Sequence, residues 1–171
     1  MEIAKILIPV LAVLATAYLL LDRMLKNDES RRIFELRKQG HSVLTPIRLR
    51  AYERLVLFLE RTAPDTMVLS IINSNSEMNC MQLHTKLLET VRQEYTHNIA
   101  QQIYVGDEVW EEVVLAKESL IKLINTCGAS CQAHEPAQVL AERIIELYNN
   151  TEGTPNERAV EALKEEIRKT F

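Results

Sequence analysis

Apolar positions in this chain form one unbroken run and then a series of stripes that repeat every three or four residues. The run, from Ile6 to Leu21, holds no charged side chain, and Thr16 and Tyr18 are its weakly polar members. Counted from Ile3, with Lys5 placed to lift its ammonium to the interface, it approaches the roughly 20 residues that a helix needs to cross a ~30 Å hydrocarbon core. It predicts a transmembrane anchor over residues 1–21, embedded through Ile6, Leu7, Leu11, Leu14, Leu19, Leu20 and Leu21. Pro9 lies near the start, where a missing N–H costs least. Ala15-Thr16-Ala17 resembles a signal-peptide cleavage site, but the apolar run continues beyond it through Tyr18-Leu19-Leu20-Leu21, and Lys5 alone stands for the basic leader region. A buried core helix would need a core on every side, which a chain of this length hardly supplies.

Asp22 to Gln39 contains neither Gly nor Pro and predicts a helical stalk that continues the anchor. Gly40 ends it, and the juxtamembrane segment, residues 22–44, closes on a short linker. The stripes begin at Thr45-Pro46, a cap followed by a first-turn proline. Ile47, Ala51, Leu55 and Phe58, with Tyr52, Val56 and Leu59, give the helix Pro46–Arg61 a wide apolar face. Pro64 stops it, and Asp65–Ile72 reads as helix or irregular chain. Ser74-x-x-Glu77 has capping-box spacing. Met78–Tyr104 is then a long helix with a stripe at Met81, Leu88, Val91, Tyr95, Ile99 and Ile103. Asp107 caps the next, whose stripe is Val109, Val113, Ala116, Leu120, Leu123 and Ile124, with Gly128 as its stop. Pro136–Asn150 follows with Leu140, Ile144, Leu147 and Tyr148 inward. Thr154-Pro155-Asn156-Glu157 starts a last helix with Val160, Leu163, Ile167 and Phe171 on one face.

Composition supports helices over sheets, since aromatics make up 5% of the chain and glycine occurs four times. The domain expected over residues 45–171 is long enough for a core of its own. Charge is divided. Residues 1–62 carry a net +4 and residues 63–171 a net −8. The acidic remainder argues against nucleic acid as a partner, because phosphate contacts need a cationic face. Arg23, Lys26, Arg31, Arg32, Arg37 and Lys38 follow the apolar run, against Lys5 and the α-amino group before it, so the N-terminus is expected outside and the domain in the cytoplasm. Three cysteines, an odd number, imply no disulfide framework.

Candidate chemistry is sparse. Glu94 and His97 have the Glu-x-x-His spacing that puts a carboxylate and an imidazole on one helical face, but di-iron bundles use two such motifs and this chain has one. Cys127, Cys131 and His134 offer three zinc ligands near one loop, with Cys80 or His84 as a fourth. Structural zinc usually shows two compact ligand pairs, so a buried thiol with incidental neighbours is the more ordinary pattern. Arg48, Arg50 and Arg54 are candidate contacts for lipid headgroups or a partner, although Glu53 and Glu60 favour pairing within the helix. Trp110 reads as a half-buried anchor. There is no phosphate-cradling glycine loop and no nucleophile elbow, and no catalytic residue or cofactor is expected.

The chain resembles an uncharacterised family of short, single-pass, membrane-anchored helical proteins from Bacteroidota. The resemblance rests on Thr45–Arg61 (TPIRLRAYERLVLFLER), Val91–Trp110 (VRQEYTHNIAQQIYVGDEVW), Ala116–Asn125 (AKESLIKLIN) and Ala162–Phe171 (ALKEEIRKTF), with Arg48–Arg61 the most specific segment. It implies a bacterial inner-membrane location with a cytoplasmic domain. It brings no activity, cofactor or catalytic residue, and Cys127, Cys131 and His134 lie outside its pattern. The expected architecture is all-α: one N-terminal transmembrane helix extended as a stalk, followed by an irregular bundle of about five helices. The expected role is a non-enzymatic adaptor, scaffold or accessory subunit at the membrane lipid, binding a protein partner or a second copy of itself. A metal-binding enzyme or sensor and an anionic-lipid-binding domain are the alternatives.

Overall fold

The computed structural model describes residues 14, 16, 18, 20, 22, 23, 43–74 and 77–170. They divide between two compact units, Met1–Pro46 and Ile47–Phe171. In the first unit the described residues are helical, and Leu14, Tyr18 and Leu20 are exposed. Among the described residues no helix is long and apolar enough to cross a membrane. Of the expected span, Ile6, Leu7, Leu11, Leu19 and Leu21 lie outside the described residues, as does the expected stalk over residues 24–39.

The second unit is all-helical. Helix α1 occupies residues 43–62, of which 47–62 belong to this unit. It is followed by α2 (Pro64–Ser74), α3 (Cys80–Asn98), a 3-10 segment (Ile99–Tyr104), α4 (Asp107–Ala129), α5 (Ala137–Asn149) and α6 (Pro155–Thr170). No strand occurs among the described residues beyond a bridge between Asn79 and Pro136. The helix expected to open at Pro46 is already running at Val43, so Thr45 lies within it. Ser42-Val43-Leu44 holds no breaker that would delay it. The stretch left open at Asp65–Ile72 is the helix α2, with Met67 and Val68 buried.

Two cores form. In one, Met67 and Val68 of α2 meet Leu83, Leu87 and Val91 of α3, Leu120, Ile124 and Cys127 of α4, and Leu140, Ala141 and Ile144 of α5. In the other, Tyr52, Leu55, Phe58 and Leu59 of α1 meet Val109, Val113 and Ala116 of α4 and Ala159 and Leu163 of α6. Tyr95 of α3 stacks on Trp110 at 5.8 Å and meets Phe58 edge-on at 6.1 Å, so the tryptophan is the half-buried anchor its neighbours suggest. Lys117 places its ammonium 4.3 Å from the centre of the Tyr95 ring.

Capping sets where the helices begin. Asn79, not Ser74, opens α3: its side chain accepts from the Gln82 N–H at 2.9 Å, and Gln82 Oε1 accepts from the Asn79 N–H at 3.1 Å. Thr154 and Glu157 form the expected reciprocal cap of α6, at 2.8 and 3.3 Å. Phase departs from expectation in α3. The buried side is Cys80, Leu83, Leu87 and Val91, whereas Met81, Ile99 and Ile103 are exposed. The α-helix tightens into a 3-10 turn at Ile99, where three residues per turn rotate Ile99 and Ile103 off the stripe. The junction is held by buried Asn98, whose Nδ2 donates to the Glu94 carbonyl at 2.8 Å while Oδ1 accepts from Arg54 Nε at 3.3 Å.

Polar groups tie α1 to α6 at both ends. Asn156 Nδ2 donates to the Leu59 carbonyl at 2.7 Å, an acceptor in the last turn of α1 that the Thr62 hydroxyl reaches only at 3.4 Å. At the other end the Glu166 carboxylate accepts from the Tyr52 hydroxyl at 2.7 Å, from Arg48 at 3.0 Å, and from the Gly106 N–H at 3.0 and 3.1 Å. Arg48 Nε also donates to the Tyr104 carbonyl at 3.0 Å. Burial, and then the hydrogen bond to Glu166, hold the Tyr52 phenol above its ordinary 10.0.

Two predictions follow from this packing. Leu87→Ala, at a fully buried site, should lower stability by about 3 kcal/mol, whereas Met81→Ala should change it by less than about 0.5 kcal/mol. Urea unfolding of both variants checks the phase of α3. Because the folded-state pKa of Tyr52 is raised, its protonated form is favoured by folding. That contribution is complete below pH 10 and is lost as pH rises through the folded value. Tyr52→Phe should cost about 1 kcal/mol at neutral pH and make the alkaline loss of stability shallower. Equal alkaline slopes for the two proteins would contradict the placement of this phenol.

Candidate functional site

Between Ala116 and Thr126, α4 passes from one core to the other. There α5 ends and α6 begins, joined by a turn in which Gly153 adopts φ 63°, a left-handed conformation that glycine takes without strain. The two helices diverge from α4 and leave a groove of about 500 Å³. Ala116, Leu120 and Leu123 line it from α4, and Leu147, Tyr148 and Pro155 from the opposite side. Ser119, Lys122, Thr126, Thr151 and Asn156 complete the lining. Burial raises the Tyr148 phenol, against the opposing effect of its hydrogen bond to Thr154 at 3.3 Å. The groove can take apolar side chains, and Lys122 is the one charged residue in its lining.

Leu147 and Tyr148 belong to the stripe expected to point inward along α5. Leu140 and Ile144 are fully buried, but Leu147 is half exposed, since among the described residues no helix covers the last turn of α5 on that side. That stripe outruns the core it packs on. The sequence carries this signal as an apolar face four residues longer than its neighbours cover, which becomes readable only when the neighbours are placed.

The residues singled out from the sequence separate into three places. Arg48 is engaged within the domain by Tyr52, Tyr104 and Glu166. Arg54 donates to Asn98 and to the His97 carbonyl, and Arg50 is exposed. Glu94 lies 4.0 Å from Arg61, and His97 is exposed beside it, in a shallow cleft of about 330 Å³ that also includes Arg54 and Phe58. No third metal donor joins Glu94 and His97 among the described residues.

The cysteines regroup. Cys127 is part of the core and His134 is exposed. Cys131 instead meets Cys80, at the start of α3, and Glu135, and the three donor atoms lie within 4.8 Å of one another. Nothing in sequence spacing pointed to Glu135. The loop over residues 130–136 brings it there by pairing with the start of α3: the Cys80 N–H donates to the Glu135 carbonyl at 2.8 Å, and the Ala137 N–H to the Met78 carbonyl at 3.1 Å. Burial raises the thiols of both Cys80 and Cys127 above the ordinary 9.0.

No curated protein and no solved structure matches the chain. A family model described as a family of unknown function, DUF7935, matches residues 1–170, and the chain belongs to that family.

Proposed function

We propose that this chain is a membrane-tethered, non-enzymatic adaptor of a bacterial inner membrane whose helical domain holds another protein through the groove on α4. The partner segment that fits is an amphipathic helix with large apolar side chains on one face and a carboxylate set to meet Lys122. The observation that carries the reading is the groove itself, an apolar cleft opening between the two cores and lined by Leu123, Leu147 and Tyr148. Large apolar side chains left open to solvent in a concave surface are the usual seat of a partner helix. The tether is supported by the uncharged run from Ile6 to Leu21 and by the exposure of Leu14, Tyr18 and Leu20 along its helical residues. The basic residues after that run favour a cytoplasmic position for the domain. The resemblance to membrane-anchored proteins of Bacteroidota supports the same location.

The test is extraction of the full-length protein from its native membrane in mild detergent, wild type beside two surface variants. Leu147→Glu puts a carboxylate into the groove, and Leu69→Glu puts one on the exposed side of α2. Both residues are about half exposed, so each variant should unfold within about 0.5 kcal/mol of wild type. The adaptor reading predicts a stoichiometric partner that is retained with Leu69→Glu and reduced at least ~10-fold with Leu147→Glu, the equivalent of about 1.4 kcal/mol. Equal recovery from both variants, or a bare monomer from wild type, would contradict it.

A further inference from the structure

We propose that Cys80, Cys131 and Glu135 bind a thiophilic divalent cation, Zn²⁺ by preference, with a fourth coordination position open to the cavity beside them. The donor set comes first. Two sulfurs and a carboxylate oxygen, contributed by a helix start and a loop 51 positions later in sequence, lie no more than 4.8 Å apart. Tetrahedral Zn–S bonds of about 2.3 Å place two sulfurs roughly 3.8 Å apart, so closure onto an ion needs side-chain adjustments of about 1 Å. Two thiolates select zinc over the hard cations magnesium and calcium, which take oxygen ligands.

The backbone is already arranged for this. The loop is fastened to α3 by hydrogen bonds from the Cys80 N–H to the Glu135 carbonyl and from the Met81 N–H to the Ala133 carbonyl at 3.3 Å. Glu135 Oε2 accepts from the Gln132 N–H at 2.9 Å, which orients the carboxylate and leaves its other oxygen available. Cys131 is placed by its own N–H, which donates to the Gly128 carbonyl at 3.2 Å. Cys80 Sγ donates to the Pro136 carbonyl at 3.3 Å. Burial raises that thiol first, and Cys131 and Glu135 beside it raise it further, against a backbone hydrogen bond from Leu140. Three groups that ionise to anions thus crowd one partly buried place, and a bound dication reverses the repulsion between them.

The fourth position opens onto a cavity of about 360 Å³ lined by Cys80, His84, Asn125, Gly128 and Cys131. His84, one turn after Cys80 on α3, is held at its edge. Its Nε2 pairs with Asn125 Oδ1 at 3.0 Å, and its ring packs so closely on Gly128 that a Cβ there would come within 2.5 Å of Cδ2. Three protein ligands with an open fourth position are the arrangement of zinc sites that take water or an exogenous ligand, rather than of closed structural sites. Loading balances as the uptake of one Zn²⁺ with release to solvent of the protons from both thiols. This proposal is independent of the groove on α4.

The experiment uses the full-length protein in detergent, reduced and stripped with a chelator. Zn²⁺ is titrated against a chromophoric competitor, and Co²⁺ is added in parallel as a spectroscopic probe. The expected result is one ion per chain, proton release on loading, and thiolate-to-cobalt charge-transfer absorption. Cys131→Ser, at a partly exposed loop position, should weaken binding about 100-fold and, at saturating cobalt, roughly halve the charge-transfer intensity, since Cys80 remains as the one thiolate. Glu135→Gln should weaken binding while keeping the band. His134→Ala, in the same loop but outside the donor set, should bind as wild type does. The proposal is overturned if His134→Ala weakens binding as much as Cys131→Ser, if cobalt shows no thiolate band, if reduced protein takes up no stoichiometric zinc, or if the native protein carries Cys80 and Cys131 as a disulfide.

Discussion

One apolar stripe on a single helix has to serve two cores, and the rest of the domain is arranged by that demand. The 23-residue helix α4 buries Val109, Val113 and Ala116 against α1 and α6, and Leu120, Ile124 and Cys127 against α2, α3 and α5. A stripe with helical spacing offers one direction of burial at a time, so neighbours must cover its two halves in succession. The short helix α2 and the kinked end of α3 follow from this. Together they let the chain cross from the core under α1 to the core under α5 and come back along α4. The polar contacts of Asn156 with Leu59, and of Glu166 with Tyr52 and Arg48, then fix α6 against α1 at both ends.

The groove is a consequence of the same arrangement. Where α4 changes partners, α5 is ending and α6 has just begun, and neither covers Leu123 fully. Filling that seam would require a longer α5 or an earlier start to α6, and the tight turn at Gly153 prevents both. The seam therefore leaves apolar surface exposed between helices that both cores anchor, and a groove formed by regular helices needs little ordering on binding.

Much of this was legible from residue pattern. The capping box of α6 is carried by nearest-neighbour chemistry and forms as expected, and the stripe of α4 buries Val109, Val113, Ala116, Leu120 and Ile124, with Leu123 only half-buried at the groove and Cys127 added to the buried side. Helix α1 kept its buried face at Ala51, Leu55 and Phe58, although Ile47 at its start is exposed. Helix α3 was misphased because Met81 and Leu88 compete with Leu83 and Leu87 for one helical period, and only the position of α4 and α5 decides between them. Arg48 showed its charge in sequence but not its partner, since Glu166 lies 118 positions away. The cysteine cluster was half legible. Cys131 and Cys80 were in view, whereas Glu135 enters through a loop pairing that no local spacing encodes, and Cys127, four positions before Cys131, turns into the core.

The central claim is that the seam on α4 is where this protein holds a partner. Its most direct test is photo-crosslinking in the native cell from a reactive side chain placed at Leu123, with a second at exposed Leu69 on α2, outside the groove lining, for comparison. The account predicts one discrete adduct from position 123, formed without detergent extraction, and none of that mass from position 69. Adducts of equal yield from both positions, or none from position 123, would contradict it.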